Sequence, residues 1–283
     1  MLIFSKVQFR EIMIRDNNKD KAYFDEHIAL NDTAIAKRLD VETFPNVKGR
    51  VGRAYTLVHD AFIGCIYRFS RGDSLEDIRQ HVFLWMQTKE IQRRVIANTP
   101  GEFKKICEQY TRVTLNTVYD GLTMMAFSAA LRFTPEETHR LLSAIGHAGK
   151  DALIDEAARA LGDVNRPVAS ECAFPRVYAP LLEVWRSAAG QREARLRECA
   201  ASWKKKISPI YWSNSLKGAE GAYFGYWCFD IALAVMLLDI PDAALRKSAY
   251  YPTDLVDARS RPRLDCIRRE GARNATVLEI TWK

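Results

Sequence analysis

The sequence predicts an all-α protein: two adjacent helical bundles followed by a short irregular C-terminal tail. Apolar residues recur every three or four positions through most of the chain. Serine and threonine helix starts alternate with glycine and proline stops. Strand signals are nearly absent: only Thr276–Trp282 alternates cleanly, and Phe4–Ile14 is ambiguous. At about 150 residues per domain, a 283-residue chain suggests two domains. The boundary is expected near Phe133, giving bundles over 1–132 and 133–256 and a basic tail over 257–283.

The elements follow in order. Tyr23, Phe24, His27, Ile28, Ile35 and Leu39 share one helix face. A longer helix over Val51–Phe69 carries Tyr55, Val58, Phe62 and Ile66 on a stripe and stops at Gly72. Ser74 caps the next helix, which runs through Trp85 to about Ala97 and the Asn98–Gly101 turn. Val113–Leu131 is apolar enough to be central. Thr134-Pro135-Glu136-Glu137 is a capping box with proline in the first turn. Helices over Asp151–Leu161, Arg176–Ala188 and Gln191–Lys206 follow, the last two separated at Gly190, before Ser208-Pro209 breaks the pattern. Glu220–Leu238 is expected as the most hydrophobic helix, and Asp239–Asp242 turns into a short helix ending near Tyr250.

The composition is that of a globular protein, with 48% hydrophobic and 27% charged residues. The net charge of +7 keeps an anionic partner in view. The six cysteines form no CxxC pair, and no HxxxH or HExxH is present. Phosphate-loop, dinucleotide and nucleophile-elbow motifs are absent. A metal-dependent nuclease would need carboxylates on adjoining strands beside a lysine; Pro241-Asp242 and Glu102-Phe103-Lys104 lie in the wrong order and off any strand. No cofactor, no metal and no enzymatic activity are expected. Met1–Phe4 is followed at once by charge, leaving no room for a signal-peptide apolar core. The apolar Ala222–Leu238 carries Asp230 at its centre, which a spanning helix rejects. The reading is a cytoplasmic protein without membrane contact.

Two features invite a functional reading. Arg186–Lys206 holds seven basic and two acidic residues; it is either a phosphate-binding face or a solvated helix face with Glu193–Arg197 paired along it. Asp230, among aromatics, is either an acid/base or partner-binding group, or a structural carboxylate locking two helices through a tyrosine or arginine.

Tyr223-Phe224-Gly225-Tyr226-Trp227-Cys228-Phe229-Asp230-Ile231-Ala232, followed by Tyr250-Tyr251-Pro252-Thr253-Asp254-Leu255-Val256, resembles the C-terminal signature of the PoNi immunity family. Asp151–Asp155, Ala173–Tyr178, Ser202-Trp203-Lys204 and Tyr211-Trp212 extend the resemblance upstream. Arg15-Asp16, Tyr23-Phe24, Tyr67–Leu75 and Tyr119–Leu122 carry it into the N-terminal half. The chain departs from the family at Asp230, where glutamate is usual, and at Thr253, where tyrosine is commoner. The resemblance implies an all-α, non-enzymatic immunity protein that binds a DNase effector of type VI secretion and occludes or distorts its site. Gly225, Tyr226, Trp227, Phe229, Asp230, Tyr251 and Pro252 are then structural signature residues. A DNA-gripping surface is basic, so Glu220, Asp239, Asp242, Asp254 and Asp257 become the candidate partner-binding acids. No direct nucleic-acid contact is expected on this reading. The alternative is a helical nucleic-acid-binding protein, against which stands the lack of a reader motif.

Overall fold

A computed structural model describes residues 14–218 and 222–260. The described residues form helices and connecting turns, with no strand among them. Phe4–Ile14 (apart from its last residue), Glu220 and the Thr276–Trp282 alternation lie outside the described residues.

Asp20 caps α1 (Lys21–Ala36) by accepting the Tyr23 N–H, and Phe24, Ile28 and Ile35 are buried. The next helix begins earlier than its apolar stripe suggests. Asn46 accepts the Gly49 N–H, so α2 (Val47–Arg71) gains a turn before Val51. It ends where expected, at Gly72, whose φ of 103° only glycine adopts readily. Ser74 caps α3 (Leu75–Ala97), which folds back on α2, and α1 packs against α2 as well. The short α4 (Lys104–Thr111) leads to α5 (Leu115–Ala130), on which every residue from Gly121 to Ala130 is buried. That apolar run is central, as its composition requires.

The Thr134 capping box is present at α6 (Pro135–Ile145), and Asp151 caps α7 (Ala152–Ala160). Helices α8 (Pro175–Arg186) and α9 (Ala189–Lys206) pack on each other. Their break falls at Ser187-Ala188 rather than at Gly190, which lies inside the first turn of α9.

The main correction concerns the signature. Only Phe229–Leu238 is helical (α10); residues 222–228 have no regular structure, although Tyr223–Cys228 are buried. Gly225 has φ 114°, outside any right-handed helix. Asp239 closes α10 in the left-handed region at φ 53°, and residues 241–250 form turns, not the expected short helix. There Asp242 O receives the Leu245 N–H, while Tyr250 O receives the Cys228 N–H. The segment is thus held by tertiary contacts instead of its own helical ladder. The expected irregular tail also begins in regular structure, because α11 spans Thr253–Ser260 and includes Asp257. Finally, α5 packs on α10 and α11, so one apolar core runs across the 132/133 position.

Candidate functional site

The signature segment is a clamp between the two halves of the chain. Ser70 Oγ, at the end of α2, donates to Phe224 O at 2.7 Å and receives the Trp227 indole N–H at 2.8 Å. Tyr119 OH on α5 donates to Trp227 O at 2.8 Å. A Cβ at Gly225 would collide with Ser70 Oγ and lie 2.5 Å from Trp227 Nε1. Glycine is therefore required by both backbone conformation and space. Tyr223 OH donates to Asp16 Oδ2 at 2.5 Å, and Tyr23 OH donates to Tyr223 O at 2.9 Å. Phe69 meets Trp227 and Phe229 edge-on, with ring centroids 5.1 and 5.3 Å apart. Such pairs add about 0.5–1.5 kcal/mol each beyond area burial.

Asp230 sits in the first turn of α10 and is buried. Its Oδ1 accepts Trp203 Nε1 at 3.0 Å, from α9, and the Ile231 N–H at 2.9 Å. Burial pushes its carboxyl up to about 6, and these hydrogen bonds hold it from rising further. It does lock two helices, through a tryptophan instead of the tyrosine or arginine considered from sequence. Tyr226 OH accepts the Leu216 N–H at 3.0 Å, and the Lys204 ammonium lies 3.8 Å from its ring centroid. Tyr251 OH donates to Asp242, and Pro252 is buried just before α11.

The candidate acids are not brought to one face as free charges. Asp242 and Asp257 both hold Arg246, at 2.9 and 2.8 Å. Asp254 accepts from Arg15 Nε at 2.8 Å, with its side chain 54% exposed. Arg15 also donates to Phe69 O and Asp73 O, so this pair ties the N-terminal segment to α2 and α11. Asp239 is exposed and shares a surface depression with Asp242, Arg246 and Arg259. The basic stretch is partly engaged as well. Arg186 pairs with Glu156 and Arg195 with Glu183, whereas the expected Glu193–Arg197 pair is absent among the described residues. Lys204 donates to Ser213 O.

Further upstream, two buried acids organise the loop before α8. Asp151 accepts the Leu153, Ile154 and Ala173 N–H groups. Asp155 pairs with Arg166 at 2.6 Å and accepts the Gly149 and Ala169 N–H groups.

Residues 149–255 match the sequence profile of PoNe immunity proteins (PoNi), C-terminal. That segment is similar to the PoNi C-terminal domain. PoNi proteins are immunity proteins to polymorphic nuclease toxins and are not an enzyme family. The match runs from just before α7 to Leu255 and so includes the Tyr223–Cys228 stretch, though not Ser70 and Tyr119, which hold it. Among solved structures, the chain is similar to protein PA2201 from Pseudomonas aeruginosa, with a TM-score of 0.66 and 18% identity over 88% of this chain and 92% of that one. This likeness places the fold. No curated protein matches the sequence. Among the described residues there is no cluster of three or more metal-ligating side chains, and no helix is long and apolar enough to cross a membrane.

One constellation escaped sequence reasoning. A cleft of about 330 Å³ opens between α2, α3, α4, the start of α5 and the turn after α6. Lys89, Arg93, Arg112, Asp120 and His147 line it. Its one sequence signal was Asp120, the single acid within the apolar Val113–Leu131 run.

Proposed function

We propose that this protein neutralises a DNase effector of type VI secretion in the cytoplasm of the producing cell, by seating on the nuclease and obstructing its site. The observation that carries this reading is the PoNi profile match over a segment whose signature residues are buried and hydrogen-bonded. A receptor assembled in advance loses little freedom on docking, which favours tight capture. Asp239, exposed, and Asp254, exposed though paired with Arg15, would serve as rim contacts for a basic nuclease surface; rim charges act mainly on the association rate. Asp242 and Asp257 are assigned to holding Arg246.

The test uses the nuclease encoded in the adjacent open reading frame. Co-expression should restore growth, and the purified pair should form a stable complex that leaves plasmid DNA intact. A nuclease that stays active beside a molar excess of this protein, with no complex formed, overturns the reading. Protection that instead tracks salt-sensitive DNA binding would point to the helical nucleic-acid-binding alternative.

A further inference from the structure

The cleft in the N-terminal half holds an excess of unneutralised positive charge. Lys89, half-buried on α3, makes no hydrogen bond or ion pair with a described residue; its ammonium lies 6.0 Å from the Trp85 ring centroid. Arg93 and Arg112 stand exposed at the mouth, and Arg93 donates to Ser143 Oγ at 3.1 Å. Arg112 has no ion-pair partner among the described residues. The first turn of α5 also lines the cleft, through Asn116 and Thr117, and brings the positive end of that helix to it. In the same wall the buried Trp85 Nε1 finds no acceptor among the described residues.

The single carboxyl in the lining is Asp120. Burial pushes it up to about 8, with Lys89 opposing the rise, so the neutral form predominates at neutral pH. Burial and the nearby cations Lys89 and Arg166 push His147 down to about 4, so it is neutral too. Three cations and several donors therefore face a space with no settled anion in it. Lys89 differs in this from Arg38, Arg68, Arg71, Arg79 and Arg166, buried or half-buried cations that each have a carboxylate partner.

We propose that this cleft is the anchor site for the toxin and receives a carboxylate side chain carried on a projecting loop of the nuclease, with Lys89 and Arg112 as its ion-pair partners. The inference rests on the immunity reading above and names the contact. The volume suits one or two inserted side chains, and Tyr55, Tyr110 and Trp85 supply an aromatic wall for their apolar stems. Desolvated charge pairs of this kind govern dissociation and specificity, whereas rim acids such as Asp239 act on encounter.

Affinity is measured by calorimetry with the nuclease from the adjacent open reading frame, for the wild type, a Lys89→Gln/Arg112→Gln double variant, and a Lys205→Gln/Lys206→Gln control of equal charge change. The cleft variant should bind roughly 100-fold more weakly, the control within about twofold. Hydrogen exchange on the unmodified complex gives an independent readout, in which amides of 109–117 should slow on binding. Equal affinity of the cleft variant and the control, or unchanged exchange over 109–117 in a stable complex, overturns the cleft while leaving the immunity reading intact. Failure of the wild type to bind overturns both.

Discussion

Asp155 on α7 and Asp120 on α5 are both acids set into apolar helices, yet the fold treats them oppositely. Asp155 is fully enclosed and answered on every side, by the Arg166 guanidinium and by two backbone N–H groups. Asp120 opens onto a cleft, has no hydrogen-bond partner among the described residues, and has its nearest cation beyond ion-pair distance. A buried charge is tolerated when its partners are assembled with it; a charge without them shifts toward neutrality. Asp155 and Asp230 behave as mortar. Asp120, with Lys89 near it, lines an open cleft instead.

The sharpest way to break that contrast is Arg166→Met. Removing one partner of an enclosed pair leaves an uncompensated charge, and a loss of about 3–5 kcal/mol in urea unfolding is expected. A loss under about 1 kcal/mol would mean that the backbone donors alone satisfy Asp155, and the contrast would weaken.

Trp203→Phe comes next. It keeps most of the packing and deletes the indole donor to Asp230, at an expected cost of about 1–3 kcal/mol. It should also raise the Asp230 carboxyl above its present value of about 6. A group raised in the folded state favours folding when protonated, so stability declines as pH rises from the ordinary 3.8 through the folded value. In the variant that decline should extend to higher pH, which thermal melts across pH 4–8 would record.

Asp120→Asn should have the smallest effect, and of the opposite sign. The wild type keeps its full stability below the ordinary carboxyl value of 3.8 and loses part of it as pH rises through about 8. Above about pH 7.5 the depressed histidines His59, His81 and His147 are neutral in both folded and unfolded chains, so Asp120 stands out there. The variant should be more stable than the wild type by on the order of 1 kcal/mol at pH 8.5, a modest figure because the carboxyl faces open water in the cleft, and equal to it near pH 4. Equal stability at both pH values would make Asp120 an ordinary surface acid.

Most of the helical layout was legible because its signals are local. The caps at Ser74 and Thr134 and the stop at Gly72 need only neighbouring residues, and each stands where the sequence placed it. The signature was recognisable as a pattern, but its shape was not. Hydrophobicity alone made Glu220–Leu238 one helix, whereas Gly225 and the hydrogen bonds of Ser70 and Tyr119 hold residues 222–228 out of it. Those partners lie more than a hundred residues upstream, so no window of the sequence contains them. The acids show the same limit from the other side: their number could be counted, but not that Arg246 and Arg15 would occupy three of them.

By itself, then, the sequence determined the all-α class, the capped helix starts at Ser74 and Thr134 and the likeness to PoNi proteins, since these depend on periodicity, capping chemistry and a linear motif. Tertiary structure alone decided which charges are neutralised. Whether a carboxylate meets a guanidinium or an empty cleft depends on distances set by packing between remote helices. That is why the grouping of Lys89, Arg93 and Arg112 around one cleft, unlike the basic run Arg186–Lys206, could not be read from the +7 total or from any single stretch of sequence.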